Sequence, residues 1–152
     1  MRIHLDISES YLSQFETRII EKAALAAFQH QEAPQNAEIS IVIASDEQLH
    51  DLNFQFRELD APTDVLSFPS EFTDPESGAS YLGDVVISFP QAKAQSQTGG
   101  HTIEDELQLL VVHGVLHLLG HNHAEPLEKS QMWAAQVEIL ETLGIGNISL
   151  PE

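Results

Sequence analysis

No cysteine occurs among the 152 residues of the chain. Its absence removes disulfides, thiolate nucleophiles and cysteine-ligated zinc from consideration, and it fits a reducing cytosol. Long apolar runs are missing as well. No stretch approaches the roughly 18 apolar residues of a membrane span, and the opening MRIHLDISES lacks the apolar core of a signal peptide. The expectation is a soluble, cytoplasmic protein with no membrane partner. Basic residues are scarce: six Lys and Arg stand against 24 Asp and Glu, a formal charge of −18. A chain this acidic repels polyanions as a whole, so most of its acids are expected to be solvated surface. Recognition of nucleic acid would have to come from a few well-placed cations.

What is present is the composition of a folded domain. The apolar fraction of 42% is ordinary, which excludes a disordered chain. The length suits one domain, taken as residues 1–152. Such a length buries most of its apolar surface without covalent staples.

Residues 2–7, RIHLDI, alternate in polarity and predict a half-buried strand. Ser8 or Ser10 is expected to cap a helix running to about residue 30, with Leu12, Phe15, Ile19, Ala23 and Ala26 as its apolar stripe. QEAPQNA reads as a loop, and EISIVIA at 38–44 as a second strand. Ser45 and Gln48 form a capping box for a short helix that ends near Arg57. DVLSFP at 64–69 predicts a third strand, stopped by Pro69, and 70–80 a loop or hairpin connection. LGDVVISFP at 82–90 predicts a fourth strand, with a short helix to 97 and a break at Gly99-Gly100. Thr102 opens a strongly apolar helix expected to end at Gly120. A last helix is predicted from about 125 to 143. The order of elements implies an α/β (α+β) layer fold: about four strands in a mixed sheet, packed with about five helices.

The chemistry concentrates in HGVLHLLGHNH, residues 113–123, which holds four of the eight histidines. His113 and His117 are one helical turn apart and project from one face. Gly120 lets the chain turn, so His123 can arrive as a third ligand from the loop. Three imidazoles leave a position open for water or substrate, as in catalytic zinc sites; structural zinc is usually closed by four protein ligands. A buried helix rarely carries two imidazoles without something to offset their desolvation. The metal site is therefore placed at the end of a central buried helix. His121 reads as a loop residue beside the site. Gly114 most simply permits close packing of the helix against a neighbour.

Zinc peptidases of the HExxH type carry a glutamate beside the first ligand, where it takes a proton from the attacking water. Here Gly114 occupies that position. A metal lowers the pKa of water towards neutrality by itself, and phosphate chemistry depends more on placed charge than on a dedicated base. The missing acid therefore handicaps peptide cleavage more than phosphodiester cleavage.

These residues resemble a known family. HGVLHLLGHNH is similar to the H-G-x-L-H-L-x-G-x-D-H signature of the YbeY endoribonucleases, and NFQFR (53–57), TDVLSFP (63–69) and LGDVVIS (82–88) match in order. The likeness spans about residues 38–143. It implies an α/β domain with one zinc ion on His113, His117 and His123. It implies metal-dependent cleavage of single-stranded RNA, in 3′-end maturation of small-subunit (16S) ribosomal RNA and in ribosome quality control. Partners implied are ribosomal RNA and the small subunit with its proteins. Catalytic roles fall on Arg57, His113 and His117. Arg57 suits a phosphate because a guanidinium is always charged and binds bidentately; a surface ion pair is its other reading. Thr63, Asp64 and Asp84 are the polar residues within the two strand motifs. Asp84 either orients a ligand histidine or ends a strand pairing, and Ser67 and Phe68 are candidates to line the cleft. The chain departs from the signature at two positions. Asn122 stands where Asp is usual, a change expected to weaken metal binding if that acid orients His123. His121 stands where Tyr is common.

Two other readings compete. One is a metal-dependent hydrolase of a peptide or small amide, which the missing glutamate disfavours. The other is a non-catalytic ribosome-assembly factor in which metal ties the buried helix to the following loop. Three imidazoles also accept copper, nickel and iron, so zinc rests on the family and on availability.

Overall fold

A computed structural model of the chain describes residues 2–146 and 148. Among these, four strands form one sheet in the order β1-β2-β4-β3. The strands are β1 (Arg2–Ile7), β2 (Ala37–Ala44), β3 (Val65–Thr73) and β4 (Ser80–Ser88). β1 and β2 are parallel, β2 and β4 are parallel, and β3 runs antiparallel to β4. Five α-helices connect and follow them: α1 (Arg18–His30), α2 (Asp46–Arg57), α3 (Phe89–Gly99), α4 (Ile103–Leu118) and α5 (Pro126–Thr142). The mixed α/β architecture is the one expected.

The two faces of the sheet are covered unequally. Ile39, Ile41 and Ile43 of β2, with Val85 and Ile87 of β4, join α1, α3, α4 and α5 in the main core. On the other face only α2 packs, through Leu49 against Ala44, Leu66 and Val86. This follows from the two-residue period of a strand, which sends alternate side chains to opposite faces. α4 lies at the centre of the covered face. It touches α1, α3, α5, β3 and β4, and eleven of its residues are buried. Thr102 Oγ1 accepts the Asp105 N–H at its start, and three acids lie in its first turn, where the positive helix end stabilises them.

Several expected boundaries move. Ser8 opens only a three-residue 3₁₀ turn, Glu9–Tyr11, and α1 begins after Thr17. The intervening segment turns its aromatic residues inward instead: Tyr11 and Phe15 stack on Phe89 at 4.6 and 5.8 Å between ring centres. Tertiary stacking overrides the helical spacing there. The buried stripe of α1 is Ile20, Ala23, Ala24, Ala27 and Phe28, whereas Leu12 is 47% exposed. Pro69 does not stop β3, which continues to Thr73. β3 is an edge strand, where a missing N–H costs no sheet hydrogen bond, and its register shifts between Pro69 and Phe72. The segment 70–80 is the tip of a β3–β4 hairpin, closed by Asp74 N–H donating to Ala79 O at 2.8 Å. β4 ends at Ser88, whose hydroxyl caps α3 by accepting the Gln91 N–H, so Phe89 and Pro90 are helical. α4 ends at Leu118, two residues before Gly120.

Candidate metal centre

The cleft at the C-terminal end of α4 encloses about 720 Å³. His113 and His117 rise into it from α4, and His123 enters from the loop that follows. Gly120 makes the loop possible: its φ is +100°, a region that side chains with a Cβ rarely adopt. The three imidazoles each offer one ligand atom, and these atoms lie within 4.8 Å of one another. Ring centres are 4.7 Å apart for His113–His117, 5.6 Å for His113–His123 and 5.0 Å for His117–His123.

Hydrogen bonds aim the rings. His113 Nδ1–H donates to Gln136 Oε1 at 2.7 Å, and His117 Nδ1–H donates to the carbonyl oxygen of His121 at 3.0 Å. Each bond fixes the tautomer and frees Nε2 as the basic atom, the usual second partner of a metal-binding histidine. Burial drives the His117 imidazole down to about 4, helped by the neighbouring His113 and His123. Burial also lowers His113; the Gln136 bond acts against that shift, His123 adds to it, and the negative charge of Asp64 opposes it. Both rings are therefore neutral near pH 7, the state that ligates a metal. The donor set is all nitrogen and leaves the cleft open on one side, which fits a catalytic divalent ion of the zinc type.

Other expected residues separate by face. Arg57, Thr63, Asp64 and Ser67 all line the cleft. Arg57 is exposed at the end of α2 and has no ion-pair partner among the described residues, so the surface-pair reading of it finds no support. Ser67 Oγ–H donates to Gly114 O at 3.1 Å and ties β3 to α4. Phe68 and Asp84 do not reach the cleft, because they point through the opposite side of the sheet. Phe68 stacks edge-on with Phe56 at 5.2 Å, and Asp84 accepts the Tyr81 hydroxyl. Of the two readings of Asp84, orienting a ligand histidine finds no contact here; Gln136 holds His113 instead.

Gly114 explains the missing peptidase acid. A Cβ at this position would lie 2.5 Å from Val85 Cγ1 and 3.3 Å from Ser67 Oγ. The residue after the first histidine faces the sheet and leaves no room for a glutamate. Asn122 answers a second question: its Oδ1 accepts the backbone N–H of His123 at 2.6 Å and of Ala124 at 3.0 Å. It braces the loop that carries His123, and an amide oxygen does this as well as a carboxylate. His121 lines the cleft, and its Nε2 bonds Gln31 Oε1 at 2.7 Å, tying the loop to the end of α1.

Gln136 and Trp133 were not identified from the sequence. Trp133 stands edge-on to His113 at 6.0 Å and to His123 at 5.7 Å. The sequence shows only a glutamine three positions after the chain's single tryptophan, which the structure places on α5. Nothing local distinguishes that pair from an ordinary amphipathic helix.

Comparison with known proteins identifies the family. The family described as Endoribonuclease YbeY matches residues 4–144. An Endoribonuclease YbeY of Dehalococcoides mccartyi (strain CBDB1) is 36% identical, covering 94% of this chain and 96% of its own. Those of Chloroflexus aurantiacus and Shouchella clausii are 41% and 39% identical, over 86% and 95% of this chain and 88% and 96% of theirs. The solution structure of a Thermotoga maritima protein shares the fold, with a TM-score of 0.60 at 23% identity over 95% of this chain and 90% of that one. With the histidine cluster, the glycine beside it and near full-length similarity in hand, the chain belongs to the YbeY endoribonuclease family.

Proposed function

We propose that the protein is a zinc-dependent endoribonuclease of single-stranded RNA, with His113, His117 and His123 holding the ion and Arg57 engaging the scissile phosphate. The observation that carries this reading is the cleft itself: three inward-aimed imidazoles share it with an arginine that has no ion-pair partner among the described residues. The ion, when bound, supplies Lewis-acid polarisation and stabilises the charge that develops on phosphate oxygens. The chain's own residues do the rest. Gln136 and the His121 carbonyl hold two rings in their ligating tautomer. Arg57 offers a forked donor to the phosphate. Trp133 stands edge-on to two of the rings and adds apolar surface beside them.

The substrate proposed is small-subunit ribosomal RNA near its 3′ end, in maturation and quality control, with the chain working in the cytoplasm. Family membership supports this. The charge of −18 adds that the small subunit and its basic proteins present the RNA, because the enzyme has no broad cationic track. Arg57→Ala tests the phosphate role. The expected result is cleavage of a 3′-extended small-subunit RNA reduced at least about 100-fold, with zinc still bound at one ion per chain. Full activity of that variant would remove Arg57 from the reaction.

A further inference from the structure

A polar chain leads from the interior to the wall of the cleft. Glu106, in the first turn of α4, is 3% exposed, and its Oε1 accepts His101 Nε2–H at 2.6 Å. Its Oε2 accepts Gln95 Nε2–H at 2.8 Å. The same Gln95 nitrogen donates to Asp64 Oδ2 at 3.3 Å. Asp64 Oδ1 accepts the Val65 N–H at 2.8 Å, and Asp64 lines the cleft with the three histidines and Arg57.

A single NH₂ group thus serves two carboxylates. An amide has two N–H bonds at a fixed angle in one plane. With one held by the buried Glu106, the other has one direction left, and Asp64 meets it. Both Asp64 oxygens are tethered from the protein side, and the residue itself lines the cleft. Nothing in the fold requires this: β3 pairs with β4 through backbone groups, and a carboxylate half-buried beside a second one costs desolvation and repulsion. The arrangement places a fixed anion on the wall of a metal cleft whose usual acid position is closed by Gly114.

We infer that Asp64 is the proton acceptor of the reaction, and that Gln95, anchored on Glu106, is its positioning residue. This inference rests on the proposed ribonuclease activity. In the step, the O–H bond of the attacking hydroxyl breaks and its proton passes to Asp64. The freed electron pair forms the new O–P bond. The P–O bond to the leaving ribose oxygen breaks, and that oxygen departs with its electron pair and takes a proton from solvent. Asp64 thereby fills the role of the peptidase glutamate from the residue that precedes β3.

The test uses single-turnover cleavage of an end-labelled single-stranded RNA by the zinc-loaded chain, with metal stoichiometry and melting temperature measured for every variant. Asp64→Asn is expected to lower the maximal rate at least about 100-fold, with half-saturating RNA concentration, zinc content and melting temperature unchanged. Asp64→Glu is expected to recover part of that rate. Gln95→Leu is expected to lower the rate about 10-fold with the same half-saturating RNA concentration, since the acceptor remains but its direction does not. Wild-type rates in Asp64→Asn, beside an inactive His117→Ala, would overturn the inference and leave the ribonuclease reading standing. Zinc loss in Asp64→Asn would overturn it in favour of a metal-supporting role. A zinc-loaded wild type with no activity would overturn both.

Discussion

At the scale of the residue, the site is governed by what the imidazoles touch. Gln136 decides the tautomer of His113 from another helix, so Gln136→Leu, close in volume, tests orientation with little change in packing. Zinc affinity is expected to fall about 10- to 100-fold, read by competition with a chromogenic chelator, with the melting temperature of the metal-free chain little changed. Acidity tests the same burial. Burial pushes the His117 imidazole down to about 4 in the folded chain, against an ordinary value of about 6.5. Between those values the unfolded chain holds a proton that the folded chain refuses, so stability falls as pH drops. The melting temperature of the metal-free protein is expected to decline from pH 6.5 towards pH 4, less steeply in His117→Ala. Equal slopes would show that burial of His117 does not matter. At this scale the sequence was most legible where spacing itself is the chemistry: His113, His117, His123 and the turn at Gly120. Gln136 stayed hidden because its meaning lies in a contact 23 positions away, and the face on which Phe68 and Asp84 lie depends on strand phase.

At the scale of the element, α4 fixes the site by its fit against the sheet. Gly114→Ala isolates that fit. Alanine would gain about 1 kcal/mol of helix propensity. Against this, the new Cβ lies 2.5 Å from a branch of Val85, a β-branched, fully buried side chain that cannot swing aside. Overpacking of this kind costs roughly 1–3 kcal/mol, so net destabilisation is expected in chemical denaturation, together with weaker zinc binding as His113 shifts. A stabilised variant would contradict the close packing. The elements themselves were largely readable, because alternation and capping residues report local physics: Ser45 and Gln48 form the expected capping box. Misplaced boundaries came from tertiary effects. Tyr11 and Phe15 give up helix for stacking on Phe89, and Pro69 stays in a strand because β3 is an edge.

At the scale of the whole molecule, charge sets how substrate arrives. With six Lys and Arg among 152 residues and Arg57 the one of them lining the cleft among the described residues, few counterions are released when RNA binds. Binding of free single-stranded RNA is expected to be weak. Its logarithmic dependence on salt should have a slope shallower than about −2, as expected for one or two phosphate contacts at about 0.7 each. Tight binding with a steep slope would show a cationic track that the fold does not provide. The proposed presentation of the RNA by the small subunit is consistent with both the acidity and the lone arginine on the cleft wall.

The central claim is that the three-histidine cleft cleaves RNA. It is tested most directly by incubating end-labelled single-stranded RNA with the zinc-loaded chain, the chelated chain and His117→Ala, all at equal folded concentration. The account predicts cleavage by the first and none by the other two, with activity of the chelated chain restored by added zinc. Cleavage that survives chelation and His117→Ala would place the chemistry elsewhere, and an inert zinc-loaded chain would make the site a structural tie between α4 and its loop.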